Sequence, residues 1–82
     1  MRTIIAFPSS HAAMEAELLA EDAGYACRLI PLPPAIHAGC GIVLLCEHSV
    51  ILQVADLLAA KRVPTDGVYD KNGDTWHRRL DS

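Results

Sequence analysis

The stretch Ala26-Cys27-Arg28-Leu29-Ile30-Pro31-Leu32-Pro33-Pro34-Ala35-Ile36-His37-Ala38-Gly39-Cys40-Gly41-Ile42-Val43-Leu44-Leu45-Cys46-Glu47 decides the fold. It holds two apolar, strand-like runs, residues 26–32 and 41–47, with a loop over residues 35–40 between them. Prolines at 31, 33 and 34 end the first run. Working outward, residues 11–23 are rich in Ala, Glu and Leu. Ser9-Ser10 can cap that segment and Gly24 can close it, which predicts a helix. Before it, residues 3–7 form a short apolar strand stopped by Pro8. After the second run, Ser49 can cap a helix over residues 50–62 that ends before Pro64. Residues 66–69 begin a fourth strand. The Asn72-Gly73 turn signal lets residues 74–80 fold back as a short fifth strand or trail as a tail.

Two strands in succession between two helices give the order β-α-β-β-α-β, an α+β, ferredoxin-like pattern. Right-handed crossovers then interlock into a four-stranded antiparallel sheet of order 4-1-3-2. Both helices lie on one face, with a possible extra C-terminal hairpin strand. Residues 1–70 would be a single domain and residues 71–82 the hairpin strand or tail.

Composition sets the class of the chain. Of its 82 residues 51% are hydrophobic, yet only Phe7, Tyr25, Tyr69 and Trp76 are aromatic, so the apolar mass is aliphatic. That excludes disorder as the main state. A formal charge of −3, from 7 Lys and Arg against 10 Asp and Glu, argues against a nucleic-acid surface. No apolar run reaches the roughly 20 residues that span a bilayer, and the N-terminus lacks the features of a targeting segment. The expected compartment is the cytoplasm, and no cofactor or resident metal is expected.

Both faces of the central strands read as apolar. Ile42, Leu44 and Cys46 alternate with Val43 and Leu45, and Ile4 and Ala6 with Ile5 and Phe7. Helices cover one face only, so a homodimer is expected to bury the other. On the first helix Ala12, Ala16, Leu19 and Ala23 form the inward stripe, and Met14 and Leu18 fall outside among Glu15, Glu17, Glu21 and Asp22.

The three cysteines do not form a disulfide framework. Cys27 and Cys46 lie inside strand runs and read as small core residues. Cys40 stands between Gly39 and Gly41 at the mouth of the third strand. The topology puts it at the sheet end where Pro8-Ser9-Ser10 opens the first helix. Unpaired backbone N–H groups and the helix dipole there favour a thiolate. His11 and His37 are the candidate proton partners. The candidate site is therefore Cys40 as acceptor, with Gly39, Gly41, Ser9, Ser10, His11 and His37 around it.

The strings Phe7-Pro8-Ser9-Ser10-His11, Ala16-Glu17, Ala23-Gly24, Leu29-Ile30-Pro31-Leu32-Pro33 and Gly39-Cys40-Gly41-Ile42 occur in an order that resembles a family of small bacterial domains, the putative selenium/sulfur carrier-like proteins. The resemblance covers about residues 3 to 69. It implies that Cys40, followed by Gly41, accepts a sulfane sulfur or selenium as a persulfide-type adduct and passes it on. Donor and acceptor proteins would be the partners. Many members carry an arginine and then an acidic residue where Pro34 and Ala35 stand here. The holding of a bound anion thereby shifts toward the helix N-terminus. The alternatives are a non-catalytic regulatory or interaction module, and a soft-metal site built from Cys40, His37 and His11.

Overall fold

β1 (Arg2–Ala6) is the middle strand of the sheet, and its sequence Arg-Thr-Ile-Ile-Ala leaves no polar side between its ends. The structure, a computed structural model, describes residues 2–79. After β1 come α1 (Ser10–Asp22), β2 (Arg28–Pro31), β3 (Ile42–Glu47), a single 3-10 turn at His48–Val50, α2 (Ile51–Ala60), β4 (Gly67–Asn72) and β5 (Thr75–Arg78). The protein is α+β, with two helices and one five-stranded sheet in the order β2-β3-β1-β4-β5, antiparallel at every pairing. The fifth strand adds to the expected four because residues 75–78 pair along β4. Leu80, placed in that strand by the sequence pattern, lies outside the described residues.

Ser9 caps α1 as its sequence suggests: its Oγ accepts the Ala12 N–H at 3.2 Å. Ser49 does not cap α2. It sits within the 3-10 turn, and α2 begins without a side-chain cap. The β4–β5 connection turns on Gly73 and Asp74, one residue later than the Asn-Gly signal, because Asn72 is already paired with Thr75. Gly73 has φ of 64° and Asp74 is not left-handed, which matches a turn with glycine at its first central position.

The helical face of the sheet carries Ile5, Phe7, Leu44, Cys46 and Val68, packed against Ala12, Ala13 and Ala16 of α1 and Ile51, Val54 and Leu58 of α2. The buried stripe of α1 is Ala12, Ala13, Ala16 and Ala20; Leu19 is half-buried and Ala23, at the C-cap, is exposed. An alanine stripe lets the helix axis approach the sheet closely, since no long side chain separates them. Glu17 is not merely solvated. Its Oε2 accepts the Leu29 N–H at 2.9 Å and so occupies an outward-facing backbone donor of the edge strand β2.

The opposite face is not bare. Ile4, Ala6 and Val43 are fully buried, and the lid over them comes from the β2–β3 loop: Ile36 is only 5% exposed, with Leu32 and Ala38 beside it. Tyr69 and Trp76 extend the same layer over β4 and β5. The chain thus covers from within the centre of the face on which a second copy was expected. The physical reason is loop length: residues 32–41 are enough to fold back over the sheet, held by Leu32 N–H to Gly41 O at 2.9 Å and Ile36 N–H to Pro33 O at 3.0 Å.

Ile36→Ala should therefore cost roughly 2–5 kcal/mol, as a large-to-small change in a buried site. Guanidinium unfolding of the two proteins measures this. A loss under about 0.5 kcal/mol, the size of a surface change, would mean that the loop does not cover the face.

Candidate functional site around Cys40

The β2–β3 loop reaches Cys40 tightly packed on the Gly39 side and with open space beside Gly41. A methyl group added at Gly39 would come within 2.4 Å of the Pro8 carbonyl oxygen and 2.7 Å of its Cα. Backbone therefore packs on backbone, and glycine is required for that approach, not for a left-handed turn, since Gly39 does not have positive φ. Asp66 Oδ2 accepts the Gly39 N–H at 3.1 Å, and Asp66 N–H in turn donates to Ala6 O at 2.7 Å. The loop is so tied to the end of β1 and to the turn that opens α1. At Gly41 an added methyl would meet nothing within 4 Å. The chain beside the cysteine is open on that side.

Cys40 itself is half-buried. Its Sγ donates to the Ile42 carbonyl at 3.2 Å, and its side chain rests against the edge of the helix-side core. Ser9 is the α1 N-cap and Ser10 its exposed first residue. His37 is exposed in the loop. His11 is exposed on α1, where it shares a shallow hollow with Met14, Glu15 and Leu18. The Cys40 thiol hydrogen-bonds to backbone and to neither imidazole. Among the described residues no three His, Cys, Asp or Glu side chains are grouped to hold a metal, so Cys40, His37 and His11 do not make the soft-metal site.

The family described as putative Se/S carrier protein-like matches residues 2–70. The chain belongs to that family. No curated protein and no solved structure matches it. Within this Se/S carrier-like domain the matched span runs from β1 into β4 and includes the whole Cys40 loop. It stops short of β5. Among the described residues no helix is long and apolar enough to cross a membrane.

Two groupings escaped the sequence reading, and both lie at the other end of the sheet. Thr3 is completely buried, and its Oγ1 donates to Asp70 Oδ1 at 2.7 Å. His48 Nδ1 stands 3.2 Å from Thr3 Oγ1 and 3.4 Å from Asp70 Oδ1, while an Arg79 guanidinium nitrogen lies 3.7 Å from Asp70 Oδ2. A hydroxyl so buried cannot meet a substrate. This cluster satisfies Thr3, the one buried polar residue among the described residues, and ties β1 and β4 to the turn before α2.

The second grouping is Cys27 with Cys46. Cys46 is 2% exposed and fits the core role expected of it, but Cys27 is only half-buried and the two thiols interact. Burial pushes the Cys46 thiol far up, and its hydrogen bond toward Cys27 pushes the same way. Burial also raises Cys27, against a lowering by that bond. Nothing local in the sequence marks either grouping, because the partners meet only through strand register.

Two measurements follow from this geometry. Gly39→Ala should cost about 1–3 kcal/mol through overpacking on the Pro8 backbone, while Gly41→Ala should be neutral or slightly stabilising. Equal effects in chemical denaturation would contradict the asymmetry. The second concerns pH. Unfolded thiols ionise near about pH 8.5, whereas folded Cys46 stays protonated well above it, so the native state holds more protons there. Stability should be constant below that pH and fall above it, by up to about 1.4 kcal/mol per pH unit. Cys46→Val should remove most of this slope in thermal melts recorded at successive pH values.

Proposed function

We propose that this domain is a carrier that holds a sulfane sulfur or selenium atom on Cys40. The observation that carries the reading is the asymmetry of the loop. Gly39 is seated on Pro8 and fixes the backbone, while the Gly41 side is open, so a half-buried thiol stands where another protein's sulfur can approach it. Membership in the Se/S carrier-like family supports the same assignment.

Loading begins when the Cys40 thiol gives up its hydrogen bond to Ile42 and loses its proton. The thiolate attacks the outer sulfur of a donor persulfide. A Cys40–sulfur bond forms, the donor's sulfur–sulfur bond breaks, and the donor leaves as a thiolate. Unloading is the reverse with a different partner: an acceptor thiolate takes the outer sulfur and Cys40 departs with the electron pair. Selenium would follow the same path. Each step is an exchange between chalcogens, so the domain needs no cofactor and no deep pocket. Ser9, Ser10 and the α1 N-terminus lie on the side of the loop held by Pro8 and supply dipole stabilisation for the loaded, anionic form. His11 and His37 are exposed and serve, in this reading, as proton partners at the protein–protein contact.

The cytoplasm suits a protein whose working thiol must stay reduced. The element order and the neighbouring of β2, β3, β1 and β4 support a ferredoxin-like β-α-β-β-α-β reading, with β5 added beside β4. Self-association would use Met14 and Leu18 of α1 and Leu52 of α2, the large apolar side chains exposed among the described residues.

Incubating the full chain with a persulfide donor and weighing the intact protein tests the assignment. The wild type should gain one sulfur atom that a thiol reductant removes, and Cys40→Ser should gain none. No adduct on the wild type, or an equal adduct on Cys40→Ser, would overturn it.

A further inference from the structure

Cys27 and Cys46 line one cleft at the end of the β2–β3 ladder. Arg28 pairs with Leu45 as the last rung of the antiparallel register, and continuing that register one residue beyond β2 brings Cys27 to Cys46. Residues opposed in this way have Cα atoms about 4.5–5.5 Å apart. That lies inside the separation of about 4.4–6.8 Å that a disulfide spans. The side chains lie on one face, since both contribute to the helix-side layer. Both line a cleft of about 330 Å³ that opens between the start of β2 and the ends of β1 and β3. This cleft is remote from Cys40, because Cys40 precedes β3 and Cys46 is near its far end.

We propose that Cys27 and Cys46 are a dithiol/disulfide couple, closed by low-molecular-weight disulfides that enter this cleft. The two residues have unequal parts. Cys27 is half-exposed where it lines the cleft, so it is the attacking sulfur; Cys46 is 2% exposed and resolves. The Cys27 thiolate attacks one sulfur of the small disulfide, forming a mixed disulfide and releasing one thiolate. The Cys46 thiol, after losing its proton to solvent, attacks the Cys27 sulfur, forms the Cys27–Cys46 bond and releases the second thiolate. Two protein thiols are oxidised and one small disulfide is reduced to two thiols. Cys27 stands just before β2, so its backbone can adjust without breaking the ladder. Burial holds both thiols protonated, so closure is slow at neutral pH and accelerates as pH rises.

The test treats the full native chain with glutathione disulfide at mildly alkaline pH, alkylates the remaining thiols and digests with trypsin without reduction. Trypsin places Cys27 in residues 3–28, and Cys40 with Cys46 in residues 29–61. The expected product is these two peptides linked, lighter by two hydrogens than their sum, with one alkylated thiol. Cys40→Ser should keep the linkage, and Cys46→Val should stop at glutathione on Cys27. Loss of the linkage in Cys40→Ser would assign it to Cys40 and overturn the proposal. So would full alkylation of Cys27 and Cys46 in wild type, or covalent dimers in place of the internal bond. None of these outcomes depends on whether Cys40 carries sulfur.

Discussion

The double-sided burial of β1 and β3 is the constraint on which the rest of this structure depends. Ile4, Ile5, Ala6, Val43 and Leu44 are all fully buried, although a two-helix layer reaches only one side of the sheet. On that side an alanine stripe brings α1 down close. On the other, Ile36 and its neighbours close the face from the β2–β3 loop. The loop that carries Cys40 is thus a structural lid before it is anything else. Its far end is seated on Pro8 and hydrogen-bonded to Asp66, so covering the sheet and presenting the cysteine are one arrangement. Large loop motions at Cys40 would uncover Ile4, Ala6 and Val43, whereas the chain at Gly41 borders open space.

Two thiol environments follow from one sheet. Cys40 precedes β3, outside the ladder, with a backbone carbonyl as its hydrogen-bond partner. Cys46 lies near the end of the same strand, inside the core layer, and shares a cleft with Cys27. The length of β3 separates them. The alternation of a strand explains the rest: Ile42, Leu44 and Cys46 share the helix side, while Val43 and Leu45 meet the lid.

Several elements were legible because their signals are local. Ser9 capping α1, Pro8 ending β1 and the apolar run of β3 each depend on residues within a turn or a strand of one another. The singular position of Cys40 between two glycines was legible for the same reason, though the work of those glycines was not. Gly39 is small because Pro8 is in the way, and Gly41 is small beside open space. The expected cap at Ser49 failed because the chain enters α2 through a 3-10 turn, and the inward stripe of α1 shifted from Leu19 and Ala23 to Ala13 and Ala20. Helix rotation is set by what the helix packs on, which a wheel drawn on one segment does not include.

By itself the sequence determined the segments, the apolar character of both sheet faces and the cysteine that stands outside the strands. These are properties of short windows, fixed by proline, capping residues and period-two or helical spacing. Only the tertiary structure decided what covers the second face and which groups meet. Ile36 joins Ile4 in one buried cluster, Thr3 meets His48 and Asp70, and Cys27 shares a cleft with Cys46 through contacts distant in sequence. Strand register makes those contacts, and a shift of one residue would send each side chain to the other face.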